Sequence, residues 1–249
     1  MATEPKTLPQ PLRTSAESRR IGQLAEQSGF FNAQRWFIRE RAWINEQQLQ
    51  LCRIPAPTFF EQQRAEWFRV QLESLGWRAK LDRAGNVLAT FRTGESAPLF
   101  VVSAHLDTVL APHRPEEIYY APDGRLHGPG VSDNGSGLVA LLALARVLSE
   151  TLELHGLASS VLLVANVGEE GEGNLNGMRY LCRQSIATAP KIAPAPQDFA
   201  IQLTSVRAFI VLDGPSLDHI TAQALASRRF EISFAGPGGH SWNDYGTPN

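Results

Sequence analysis

Three short apolar runs constrain this chain more than any other feature. Leu99–Ala104 is apolar at every residue but Ser103, Val161–Val167 at every residue but Asn166, and Ala208–Leu212 throughout. Consecutive apolar residues suit a strand covered on both faces, whereas a strand with one wet face alternates. Helical patterns lie between and after these runs, over Leu138–Glu153 and Asn174–Gln184. Strands alternating with helices imply βαβ units. The expected fold is therefore α/β, a mostly parallel twisted sheet flanked by helices. In such a sheet ligands bind beyond the carboxyl ends of the strands. The residues just after each run are the ones to inspect.

Acids and a histidine stand there. The first run leads into His105-Leu106-Asp107, the second into Gly168-Glu169-Glu170 and the third into Asp213-Gly214. A further acid, Asp133, sits in the Gly-rich segment Gly128–Gly137 that opens a helix. Imidazole with carboxylate is a donor set for an ion of zinc type. Acids gathered without a cation raise one another's pKa, and two divalent ions remove that cost while activating water. His105 and Asp107 face the same side of a regular strand, so Asp107 can ligate or can hold the His105 ring in one tautomer. Glu169 and Glu170 diverge on a regular strand. Where the strand breaks into a turn, one can ligate while its neighbour acts as general base. Each residue alone has a plainer reading: a hydrogen-bonded His105, a solvated Glu169-Glu170 pair, Asp133 as a helix N-cap, Asp213 as the start of a turn. The joint pattern favours a metal site. The Gly-rich segment has no GxxxxGK[ST] and departs from GxGxxG, which sets a phosphate loop aside.

The rest of the chain reads as support. Residues 1–14 are polar and Pro-rich, a loose tail. Residues 15–52 carry helical patterning. An amphipathic helix is expected over 57–76, capped by Thr58 with Glu61 completing a capping box, and with Phe60, Trp67, Phe68 and Leu72 on its buried side. Val87–Phe91 reads as a strand, Ser185–Asp198 as a surface excursion and Phe230–Ala235 as a half-exposed strand.

With 23 Lys+Arg against 25 Asp+Glu, the chain has no excess of positive charge to neutralise phosphates, so a nucleic-acid partner is not expected. No membrane span is expected either, because the longest apolar run, Leu138–Leu148, is short and contains Arg146. Two cysteines, Cys52 and Cys182, make no disulfide framework, and the first residues hold no apolar signal segment. A cytoplasmic location follows as the default.

The ordered motifs SAHLDTV, GPGVSDNGSGL, VGEEGEGN, VLDG and GPGGHSW resemble the dinuclear zinc aminoacylase/peptidase family. That family includes peptidase T, acetylornithine deacetylase, succinyl-diaminopimelate desuccinylase and glutamate carboxypeptidase. The resemblance runs from about Trp36 to the end and implies a tail (1–14), a catalytic domain (15–222) and the start of a lid or dimerisation domain (223–249). It implies two Zn2+ ions, with Co2+ or Mn2+ as alternatives. His105 and Asp213 would hold one ion, Glu170 the other, and Asp133 would bridge them. Asp107 would orient His105. Glu169 would take a proton from water and return it to the leaving amine. His240, in Gly236–Trp242, would hold the oxyanion from a lid domain. The implied substrate is a small peptide or an N-acyl amino acid, and a homodimer through the lid is implied for a longer form. Chains of that family continue further and supply a last His ligand, which His113, His127, His155 and His219 do not match in context. The expectation is thus an N-terminal part of an enzyme that alone binds metal weakly. The alternative is a non-catalytic metal-binding or interaction protein on the same scaffold.

Overall fold

The computed structural model describes residues 16–91, 97–151, 159–184 and 206–214, together with 220–223, 230, 232, 233, 235, 236, 238–240 and 242–246. The chain divides into two compact units, residues 1–215 and 216–249. The expected tail over 1–14 and the excursion over Ser185–Asp198 lie outside the described residues.

The helical patterning over 15–52 resolves into three helices, α1 (Ala16–Ala25), α2 (Ser28–Arg39) and α3 (Arg41–Cys52). They are followed by α4 (Gln62–Ser74), β1 (Arg78–Leu81), β2 (Val87–Phe91) and β3 (Leu99–His105). After a two-stranded ribbon, β4 (Tyr119–Tyr120) with β5 (Leu126–His127), come α5 (Gly137–Thr151), β6 (Ser160–Asn166), α6 (Asn176–Gln184) and β7 (Val206–Val211). Helix α4 is shorter than expected and starts at Gln62, after Thr58 and Glu61. It ends where Gly76, at φ +85°, accepts a left-handed turn that other residues resist. Phe68 and Leu72 are buried as expected, but Phe60 precedes the helix and is 68% exposed.

The main sheet has the order β1-β2-β6-β3-β7. Its β3–β6 and β3–β7 pairings are parallel, and its β1–β2 and β2–β6 pairings antiparallel, so the sheet is mixed rather than mostly parallel. The cause is local. Asp82 Oδ1 accepts the backbone N–H groups of Ala84, Gly85 and Asn86, which closes a tight turn between β1 and β2. Strands joined by a tight turn must run antiparallel, whereas the parallel β3–β6 pair needs the crossover that α5 supplies. Because β3, β6 and β7 run the same way, their C-terminal ends fall at one edge of the sheet.

Both faces of the central strands are covered. Val102, Ala104, Leu163 and Ala165 pack with Phe68 and Leu72 of α4 and with Leu138, Leu141, Leu142 and Ala145 of α5. The alternate residues Val101, Leu162 and Val164 pack toward Leu181 of α6. This period-two division explains why the first two runs are apolar throughout. The third differs: β7 is an edge strand of the described sheet, and Ile210 and Val211 are exposed.

Val131–Glu150, at mean hydropathy 1.3, is long and apolar enough by composition to cross a membrane, which the run Leu138–Leu148 is not. It is also the central core stretch, with Leu138, Leu141, Leu142 and Ala145 fully buried. On its outer side Arg146 lies over Trp43, 4.4 Å from the ring centroid, and pairs with Glu40 and Glu150. Trp36 of α2 is buried and donates to Glu150 Oε2 at 2.6 Å, which ties α2 to α5. In the second unit, none of the described residues within Phe230–Ala235 lies in a strand.

Candidate metal centre

The edge where β3, β6 and β7 end collects six of the seven residues named from the sequence. His105 is the last residue of β3 and is buried. Its Nδ1 lies 2.9 Å from the main-chain oxygen of Asp107 and 3.5 Å from Asp107 Oδ1. Its Nε2 lies 2.9 Å from Asp133 Oδ1 and 3.4 Å from Asp213 Oδ1. Asp107 therefore sits behind the ring, and Asp133 and Asp213 stand in front of it.

Asp133 reaches this position because it does not cap α5. The residue that does is its neighbour: Asn134 Oδ1 accepts the Gly137 N–H at 3.0 Å, and Asn134 Nδ2 donates to Leu212 O at 2.9 Å. One buried amide thus closes the N-terminus of α5 and ties it to the end of β7. That link brings Asp133 and Asp213 to the same imidazole. The N-cap reading of Asp133 is thereby replaced by an N-cap at Asn134.

Glu169 and Glu170 follow β6 where it breaks into a turn. Their backbone N–H groups donate to Asp107 Oδ1 and Oδ2, both at 3.0 Å, and Thr58 Oγ1 donates to Asp107 Oδ2 at 2.9 Å. Thr58 is thus not a helix cap. Gly168, at φ +59°, lets the chain turn, and Gly173 packs back against it. A Cβ at Gly173 would lie 2.7 Å from the backbone of Gly168. Arg64 is fully buried; it donates to Leu106 O at 2.8 Å and, twice, to Ile54 O, which fixes the chain just before Asp107. Sequence reading missed Arg64 and Asn134 and took Thr58 for a helix cap. The one available signal was polar residues placed where an apolar core face continues.

Charge in this pocket is finely opposed. Burial works against a protonated His105, but the carboxylates of Asp107 and Asp213 override it and push the imidazole up to about 11. Asp107 stays below the ordinary carboxylate range: burial opposes its ionisation, and hydrogen bonds from His105, Glu169, Glu170 and Thr58 more than compensate. Asp213 is likewise lowered, chiefly by His105. Glu169 and Glu170 are raised by burial first and by neighbouring carboxylates. Ligand atoms of His105, Asp133 and Asp213 lie within 4.8 Å of one another, as do those of His105, Glu169 and Glu170. Two overlapping donor groups of imidazole and carboxylate, with acids held at the cost of mutual repulsion, fit divalent cations of zinc type.

His240 belongs to the other unit. There its Nδ1 accepts the Trp242 N–H at 3.2 Å and its own N–H donates to Asp244 Oδ2 at 2.6 Å. Among the remaining histidines, His127 stacks on Tyr119 at 5.8 Å, while His155 and His219 lie outside the described residues.

Known proteins resemble parts of this chain. The chain is 33% identical over 99 residues to the probable lipoprotein aminopeptidase LpqL of Mycobacterium tuberculosis (strain ATCC 25618 / H37Rv), a match covering 40% of this chain and 16% of that protein. Human carnosine dipeptidase 1 superposes with a TM-score of 0.54 at 13% identity, over 74% of this chain and 41% of that one. The dipeptidase Dug1p of Saccharomyces cerevisiae gives 0.55 at 13% identity, over 75% and 42%. The chain thus spans less than half the length of each of these proteins, and the two structures share its fold. The peptidase family M28 model matches residues 86–218, just over half of the chain and the stretch that runs from β2 past Asp213. It supports the metallopeptidase class without selecting peptidase T or any other relative that the motifs resemble. On that match the chain belongs to peptidase family M28.

Proposed function

We propose that this site is a zinc centre that hydrolyses a peptide bond, or an N-acyl amide bond, in a small substrate. The observation that carries the reading is the convergence of Asp133 and Asp213 on one face of His105 while Asp107 occupies the other. His105 and Asp213 would hold one ion and Glu170 a second, with Asp133 shared between them. Bound divalent ions would supply Lewis-acid polarisation of a carbonyl and a lowered water pKa. Asp107 keeps the imidazole oriented through Nδ1 and leaves Nε2 directed at the acids. Glu169 stands beside the donor set, and its raised pKa, from burial first, brings it toward the range in which a carboxylate takes up and returns a proton. It accepts the proton of the attacking water and passes it to the leaving nitrogen.

The non-catalytic alternative keeps one supporting observation: His105 is the sole histidine in either donor group among the described residues. Glu169 weighs against it, since a pure metal binder has no use for a proton acceptor there. The two are separated with zinc-loaded protein and a panel of dipeptides, tripeptides and N-acyl amino acids. Hydrolysis that falls by about 10²–10⁴ in Glu169→Gln, with zinc content unchanged, is the expected outcome. Zinc binding with no turnover of any substrate, or turnover that Glu169→Gln leaves intact, would overturn the catalytic reading.

A further inference from the structure

The turn that carries Glu169 and Glu170 is held in an unusual way. Four consecutive backbone N–H groups, from Val167 to Glu170, each donate to a side-chain oxygen. Val167 N–H goes to Asn86 Oδ1 at 3.0 Å, Gly168 N–H to Glu61 Oε1 at 2.9 Å, and Glu169 and Glu170 N–H to the two oxygens of Asp107. The three acceptor residues come from the β1–β2 turn, the start of α4 and the end of β3. All are buried: Asn86 and Asp107 fully, and Glu61 to 5% exposure. A regular strand would spend such donors on a neighbouring strand. Here the chain has already turned away from the sheet, and the side chains substitute for a ladder.

Asn86 and Asp107 have other duties. Asn86 Nδ2 also holds Asp82 and Gly177 O, and Asp107 orients His105. Glu61 stands apart because its carboxylate is buried in front of α4 and, among the described residues, no cationic side chain bonds to it, an arrangement that costs free energy unless its oxygens are well used. Its partner across the chain is Gly168, at φ +59°, the residue whose turn sets the direction in which Glu169 and Glu170 leave β6.

We propose that Glu61 is a positioning residue: by accepting the Gly168 N–H it fixes the turn after β6 and so aims Glu170 at the metal and Glu169 at the attacking water. This rests on the zinc-hydrolase reading for its consequence, while the hydrogen bond itself does not. The Glu61 carboxylate is held locally by the Glu61 and Phe59 backbone, and its bond to a chain segment more than a hundred residues away links the α4 start to the active edge.

The test compares wild type, Glu61→Ala, Glu61→Asp and Glu61→Gln in two measurements. Amide hydrogen exchange of the metal-free chain reads the turn directly. Exchange at Gly168, Glu169 and Glu170 should accelerate at least about tenfold in Glu61→Ala and in Glu61→Asp, which keeps the charge but is one methylene short, while amides in β3 and α5 hold their wild-type rates. Glu61→Gln, which retains an acceptor oxygen of the same reach, should restore protection. Competition with a chromogenic chelator reads the consequence: zinc affinity about tenfold weaker in Glu61→Ala and Glu61→Asp and near wild type in Glu61→Gln. Glu61→Asp supplies both readings if Glu61→Ala does not fold. Unchanged exchange at Gly168–Glu170 in Glu61→Asp, or acceleration spread evenly over the protein, would overturn the proposal. Local acceleration with unchanged zinc affinity would overturn its consequence for the site. Absence of zinc binding in the wild type would overturn the metal reading instead, and the exchange result would still decide the role of Glu61.

Discussion

Asp107 accepts from Thr58 Oγ1 and from the backbone of Glu169 and Glu170, and its own main chain faces His105 Nδ1. Truncating it strands several buried donors together. Asp107→Ala should lower stability by about 3 kcal/mol, as for a broken buried pair, and weaken zinc binding 10–100-fold. Urea denaturation monitored by Trp fluorescence checks the first figure, and a loss under about 0.5 kcal/mol would contradict it. The signs of the pH effects differ for the two partners. Asp107 is lowered in the fold, so its contribution is present above the ordinary Asp pKa of about 3.9 and fades as pH falls through its folded value. His105 is raised to about 11 in the metal-free chain, so its contribution is complete below the ordinary His pKa and is lost as pH climbs through about 11. Zinc must displace that imidazolium proton. Apparent zinc affinity should therefore rise between about pH 6 and pH 8, with proton release on binding in a calorimeter at several buffer ionisation enthalpies. An affinity flat across that range would contradict the pairing.

At the scale of elements, the turn Gly171–Gly173 is pressed onto Gly168 so closely that no side chain fits at Gly173. Gly173→Ala should cost about 1–3 kcal/mol, because the obstacle is backbone and cannot swing aside, and it should weaken zinc binding by displacing Glu170. Thermal denaturation with and without zinc checks both, and a wild-type melting temperature would sink the idea. Much of this layer is legible in the sequence. Val87–Phe91 is a strand with those bounds, and the runs Leu99–Ala104 and Val161–Val167 become β3 and β6, because strands buried on both faces have no choice but to be apolar throughout. Thr58 and Glu61 mislead for a physical reason. Their types and spacing satisfy a helix cap, and only the return of β3 and β6 to the same edge offers each a partner from another segment. β7 misleads similarly: its composition matches a central strand, but it is the edge strand of the described sheet.

For the whole molecule, the site depends on sheet direction. Parallel β3, β6 and β7 put His105, Glu169 and Asp213 at one edge, while α5 carries Asp133 there through its Asn134 cap. Most of the candidate metal-binding acids are legible in the sequence because they follow an apolar run, and a strand's end is where the chain leaves the core; Asp133 is the exception, marked instead by the Gly-rich segment that opens α5. The residues that hold these acids, Arg64, Asn86 and Asn134, are not legible, because a buried polar residue acquires meaning only from the carbonyl or amide it meets. His240 illustrates the other limit: a motif locates it in a second unit, and motif spacing carries no distance. The proposed centre stands on Asp133 reaching His105 from across the fold. Elemental analysis of zinc per chain, after dialysis against micromolar zinc, for wild type and Asp133→Ala tests this most directly. Zinc retained by the wild type and falling steeply in the variant, with unchanged circular dichroism, is the predicted result. No retained zinc, or equal zinc in both proteins, would contradict it.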